Sequence, residues 1–166
     1  MEIKEIEFLN FGKCVQISNE IIDVVVTIDC GPRIVRFGYR DCENLFYTDT
    51  ARNHCIRNES ITERFGSEAA FFYYGGHRVS LSPERMPQSY APDNSPVVYS
   101  ILPDGVTFSP PRQKQTDLQV GFEVMMGEDA ADIMVVHTVK NCGKETRACS
   151  PVSYTHLRAH ETREDL

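Results

Sequence analysis

Nine consecutive residues, Leu118 to Met126, change character at every second position. Leu118, Val120, Phe122, Val124 and Met126 are large and apolar, and Gln119, Gly121, Glu123 and Met125 lie between them. A period of two belongs to a β-strand, whose successive side chains point to opposite faces. The spacing predicts a strand with those five apolar residues turned inward, since a slip of one residue would expose all five. Ile22, Val24, Val26 and Ile28 alternate in the same way with Asp23, Val25 and Thr27, giving a second strand with one rich face. Shorter β-rich runs lie at Glu5–Leu9, Cys14–Ile17, Arg33–Tyr39, Val97–Leu102 and Ile133–Val139. Turn signals separate them: Cys30-Gly31-Pro32, Pro103-Asp104-Gly105, Met126-Gly127-Glu128-Asp129 and Asn141-Cys142-Gly143. No segment carries a sustained helical stripe, and the best short helix is Ser60–Phe65. The chain is therefore expected to be all-β and antiparallel, a sandwich or barrel. Residues 49–70 and 82–96 are the two long irregular stretches, which on a β scaffold either cross between sheets or carry function.

Charge narrows the function classes. Seventeen Lys and Arg face 24 Asp and Glu, a net charge of -7. That balance argues against a nucleic-acid groove, which needs a basic patch, and against an anionic membrane surface. No apolar run approaches the ~20 residues of a membrane helix, and Met1-Glu2-Ile3-Lys4-Glu5 opens without the apolar core of a signal peptide. A cytoplasmic protein is the expectation. The six cysteines, at 14, 30, 42, 55, 142 and 149, contain no C-x-x-C pair. They are expected to be reduced, mostly buried thiols, with no disulfide framework, no metal site and no cofactor.

The C-terminal stretch has a different character. Val152 to Thr162 reads V-S-Y-T-H-L-R-A-H-E-T, which resembles the translation of a transposon-based sequencing adaptor. On that reading residues 152–166 are a non-native tail without a structural role, and residues 1–151 are the N-terminal part of a longer domain. Such a tail has to be set aside before His156 and His160, spaced i and i+4, are mistaken for metal ligands. A domain cut there would have open strand edges and uncovered apolar faces, and is expected to be marginally stable.

The densest chemistry lies at Gly75-Gly76-His77-Arg78-Val79-Ser80-Leu81-Ser82-Pro83-Glu84, followed by Gln88-Ser89-Tyr90-Ala91-Pro92-Asp93-Asn94-Ser95-Pro96-Val97. Two glycines let a backbone turn tightly or approach a ligand. His77 and Arg78 supply an imidazole and a rigid donor fork, and the aromatics Phe71, Phe72, Tyr73 and Tyr74 precede them. Forks for hydroxyls and flat rings for C–H faces suit a sugar. The same pair can equally anchor a loop by pairing with Glu84 or Asp93, and composition leaves both readings open. His54 sits in a polar loop and reads as solvated, and His137 reads as a strand histidine.

The order G-P-R-I-V-R-F-G-Y (31–39), E-N-L-F (43–46), G-G-H-R (75–78), S-P-E (82–84), Y-A-P-D-N-S-P-V (90–97) and V-V-H-T-V-K-N (135–141) resembles the galactose mutarotase-like (aldose 1-epimerase-like) superfamily, in particular bacterial members with a G-G-H-R segment. The resemblance spans residues 1–151. It implies a large antiparallel β-supersandwich, here cut at its C-terminal side, and a hexose or hexose derivative as substrate. Enzymes of this kind open and reclose a sugar ring by paired general acid–base catalysis. The resemblance places the acid histidine beyond Arg147-Ala148-Cys149-Ser150 and the base glutamate later still, so no catalytic residue is expected in this chain. It implies that His77, Arg78, Glu84, Tyr90 and Asn94 contact a sugar or sugar phosphate. The alternatives are a non-catalytic carbohydrate-binding module or sensor, and a sandwich without a ligand.

Overall fold

The structure, a computed structural model, describes residues 1–158. The strands in chain order are β1 (Glu2–Glu7), β2 (Lys13–Ser18), β3 (Ile22–Thr27), β4 (Ile34–Tyr39), β5 (Cys55–Ile56), β6 (Phe71–Phe72), β7 (Gly76–Ser82), β8 (Val98–Leu102), β9 (Gly105–Ser109), β10 (Leu118–Met126), β11 (Ile133–Asn141) and β12 (Ser150–His156). One helix, α1, covers Glu59–Phe65; the Asn58 side chain caps it by accepting from the Ile61 amide at 3.0 Å. A 3₁₀ turn covers Gln88–Tyr90. The strands form a six-stranded sheet in the order β1-β2-β3-β4-β7-β12, a four-stranded sheet β11-β10-β9-β8, and the small pair β5-β6. Every pairing is antiparallel, so the chain is all-β as its alternation predicts.

The two large sheets meet through one apolar cluster. Ile17, Val24 and Val26 of the larger sheet face Val106, Phe108, Phe122 and Val124 of the smaller one. β3 is buried along its whole length, because its other face is covered too: Val25 joins Phe11, Cys14, Val35 and Tyr74 in a second cluster. The sequence expectation of one rich face therefore understates β3. Its charge, Asp23, is held by Arg36 through Nε at 2.7 Å and Nη2 at 2.8 Å. β1 starts three residues earlier than expected; as an edge strand it tolerates Glu2, Lys4 and Glu5 on its exposed positions.

β10 runs over the residues whose alternation predicts it. Phe122, Val124 and Met126 enter the core, while Leu118 and Val120, on the same face, are only partly buried. The core ends between Phe122 and Val120, and the apolar face continues past it into a cleft. The thiols depart from expectation. All six are free, but only Cys14 and Cys30 are buried; Cys42, Cys55 and Cys149 are exposed. Cys42 and Cys149 lie outside the strands, and Cys55 lies in the small β5-β6 pair, away from the main interface.

β12 includes residues of the adaptor-like segment. It pairs with β7 rung by rung from Ser150↔Ser82 to His156↔Gly76. Its side chains add little packing: Val152, Tyr154 and Leu157 are 38%, 54% and 65% exposed. A ladder is made by backbone groups and asks only for an extended chain, so the ladder itself makes little demand on side-chain identity, although the Ser153 and Thr155 hydroxyls reach the His137 and His77 rings. Residues 159–166, the rest of that segment, lie outside the described residues.

Candidate functional site

β7 begins on an unusual backbone. Tyr74, Gly75 and Gly76 all have positive φ, at 54°, 82° and 65°. A Cβ on Gly75 would stand 2.3 Å from the Tyr47 carbonyl oxygen, and one on Gly76 would stand 2.1 Å from that of Ile34. The close approach these glycines permit is thus to the chain itself. They lower β7 onto β4 and onto the 47–48 segment, and Gly76 donates to the Tyr47 carbonyl at 2.7 Å.

β7 and β4 then share a single rung, Ile34↔His77. Before Ile34 the chain is Gly31-Pro32-Arg33, and Pro32 has no amide hydrogen to offer a ladder. From Arg78 onward, β7 has no strand on its β4 side among the described residues. The gap opens into a cleft of about 980 Å³. Arg78, Ser80 and Leu81 form one wall, Leu118, Val120 and Phe122 of β10 another, and the 83–95, 110–116 and 145–149 segments the rim.

Arg78 lies over the Phe71 ring, 4.5 Å from its centroid, a cation–π contact that supports the guanidinium without neutralising it. Burial, with the neighbouring Arg33 charge, lowers its pKa to about 10, still charged at neutral pH. Among the described residues it has no hydrogen-bond or ion-pair partner. Asp93, one of the anchors left open by the sequence, is taken by Arg33 instead. Arg33 is fully buried, and its Nη2 donates to both Asp93 oxygens at 2.7 and 2.8 Å. The guanidinium stacks 4.8 Å from the Tyr74 ring centroid, while its Nε and Nη1 are unpartnered among the described residues. Gly31 donates to the Asp93 carbonyl at 2.8 Å, and the Tyr74 hydroxyl donates to Asn94 at 2.6 Å. G-P-R, Y-Y-G-G and A-P-D-N, far apart in sequence, thus form one joint around the buried Arg33.

The remaining predicted residues lie around the cleft rather than on its walls. Glu84 accepts from the Tyr90 hydroxyl, which pushes that hydroxyl up to about 12. The Tyr90 ring meets Phe71 edge-on at 5.3 Å. Asn94, itself exposed, is tied to that joint through the Tyr74 hydroxyl. His77, on the opposite face of β7 from Arg78, points between the sheets. Of the five, Arg78 alone lines the cleft.

His77 meets a partner that sequence spacing does not reveal. Its ring stacks on His137 of β11, centroids 5.1 Å apart, with the two Nε2 atoms at 3.2 Å. His77 Nδ1 lies 2.7 Å from Thr155 Oγ1, and His137 Nε2 lies 3.1 Å from Ser153 Oγ. His137 Nδ1 is buried without a partner among the described residues. The tautomer that leaves a lone pair there, rather than a bare N–H, is the cheaper one. His137 then donates from Nε2 to His77 Nε2, and His77 donates from Nδ1 to Thr155. Burial, then the His137 charge, lowers His77 to about 4; burial alone lowers His137. The pair is neutral at pH 7 and clips the two sheets together. The Phe122 ring, which lines the cleft, meets His137 edge-on at 6.0 Å. His54, exposed, pairs with Asp49 away from this region.

The described residues contain no group of three or more His, Cys, Asp or Glu placed to hold a metal, and no helix long and apolar enough to cross a membrane. No protein-family model, no curated protein and no solved structure matches the chain.

Proposed function

We propose that the protein binds a carbohydrate, a hexose or hexose derivative, in the cleft beside β7, as a relative of the aldose epimerases with a mutarotase-type supersandwich. The observation that supports this reading is the divergence of β7 from β4 beyond Ile34↔His77. It creates a concave site whose volume lies within the range of small-molecule pockets. There a strand edge and the Arg78 fork can meet hydroxyls while Leu118, Val120 and Phe122 offer an apolar wall.

Binding without turnover is the second reading, and the cleft lining favours it for this chain. Ring opening needs an acid and a base held against the sugar. Among the described residues the lining contains no histidine, and of its carboxylates Asp93 is engaged by Arg33, leaving Glu145. Calorimetric titration of hexoses, with polarimetry on the same samples, tests both readings. Saturable binding without faster anomer interconversion supports a binding module; faster interconversion restores the epimerase. Absence of binding by any sugar or sugar phosphate refutes the carbohydrate reading.

A further inference from the structure

The cleft is basic although the chain is acidic. Among the described residues six basic side chains line it, Arg64, Arg78, Arg85, Arg112, Lys114 and Arg147, against the two acids Asp93 and Glu145; the chain as a whole carries -7. Compensation inside the protein is slight. Asp93 is held by Arg33, which is not a lining residue. Among the described residues, Arg112 is the one lining cation with a carboxylate partner, Asp117. Arg64 donates to the Gln115 backbone carbonyl, which leaves its charge in place. Like charges crowded into a concave surface repel one another and focus a positive potential there.

We propose that this cleft seats an anionic group, a phosphate or a carboxylate, carried by its ligand, with Arg78 at the inner wall and Arg85 and Arg147 at the rim. The proposal rests on the carbohydrate reading for the rest of the ligand and makes it a phosphorylated or acidic sugar. Arg78 suits the inner position. It is half-buried and fixed over Phe71, so its fork is oriented before the ligand arrives, and a bidentate bond to phosphate or carboxylate needs that geometry. Arg85 and Arg147 are exposed, placed to meet an anion from the solvent side. A neutral hexose would leave these charges as unbalanced as they are without it.

The test titrates the 166-residue chain with four probes at low salt: a neutral hexose, its 6-phosphate, the corresponding hexuronate and inorganic phosphate. The 6-phosphate or the hexuronate is expected to bind at least tenfold more tightly than the neutral sugar, and which of them does so identifies the anion. Arg78→Gln should weaken that ligand by about tenfold to a hundredfold, the loss of a charge-assisted hydrogen bond. The double variant Arg85→Gln/Arg147→Gln alters only exposed side chains, so it reports on binding even if Arg78→Gln folds poorly; it should weaken binding in the same direction. Lys4→Gln, a remote cation, is the reference for net charge. A neutral hexose bound as tightly as its phosphate overturns the anion seat and leaves the carbohydrate reading standing. Inorganic phosphate bound as tightly as the sugar phosphate, and lost in the cleft variants, supports the seat and removes the sugar. Variants no weaker than Lys4→Gln, or no binding of any anion, overturn the proposal.

Discussion

Arg33 precedes Ile34 and Arg78 follows His77, so in the antiparallel pair the two arginines lie on the same side of the rung shared by β4 and β7. Their surroundings have opposite character. Arg33 is fully buried, doubly bonded to Asp93 and stacked on Tyr74. Arg78 is half-buried, rests on Phe71 and has no carboxylate within ion-pair distance among the described residues. One belongs to a joint that holds distant segments together, the other to a cleft wall. The lesson is that charge alone does not mark a functional arginine. What marks it is whether the fold has already provided its counter-ion.

The largest expected effect separates the two regions directly. Asp93→Ala leaves the Arg33 guanidinium buried and uncompensated, and should lower stability by about 3–5 kcal/mol. Arg78→Gln removes a charge the fold does not balance, and should stay within about 1 kcal/mol of the parent. Urea midpoints measure both. Equal losses would erase the distinction between joint and cleft.

Gly76→Ala probes the backbone that serves both regions. With φ at 65° and a Cβ position 2.1 Å from the Ile34 oxygen, the strand must move off β4, at a cost of about 2–3 kcal/mol. Because the cleft is framed by the same strand, ligand affinity should fall with stability. A variant as stable as the parent would show that the rung at Ile34 is not tight.

Acid should loosen the clip between the sheets. His77 and His137 have folded pKa values below that of an unfolded histidine, near 6.5. Above pH 6.5 both are neutral in either state and no stability is lost. Between pH 6.5 and about 4 the unfolded chain takes up protons that the folded pair resists, so stability falls as pH drops. The loss is about 1–2 kcal/mol, since the pair is partly solvated and screened. Denaturation of His77→Gln over the same range should show a shallower pH slope; an unchanged slope assigns the acid sensitivity to other groups. The smallest effect belongs to Tyr74→Phe, which removes the 2.6 Å bond to Asn94 and should cost about 1 kcal/mol in the same melts.

Much of the fold was legible in the sequence because alternation is a property of the strand itself. β3 and β10 could be read from it, β11 was legible as a β-rich run, and the short helix was placed within one residue of α1. Alternation names the inward face but not its depth: Leu118 and Val120 share the face of Phe122, yet border a cleft. β9 was hidden because Gly105 reads as the end of a turn, whereas Leu102↔Gly105 closes a hairpin around Pro103 and Asp104. β7 was hidden because Gly75-Gly76 suggests a ligand loop, while both glycines accommodate neighbouring backbone. The segments that matter were identifiable as G-P-R, G-G-H-R and Y-A-P-D-N, but their pairings were not. Asp93 chooses Arg33, sixty positions away, over Arg78, and His77 finds His137 on the other sheet. Such long-range choices follow from sheet order, which no local pattern encodes.

The most direct measurement of the division between joint and cleft is a crystal structure of the chain grown with a hexose 6-phosphate. The phosphate should lie within hydrogen-bond reach of the Arg78 guanidinium, the sugar ring against Leu118 and Val120, and Arg33 should still be bonded to Asp93. A cleft without ligand, or an Arg78 side chain turned onto a carboxylate of the protein, would contradict that division.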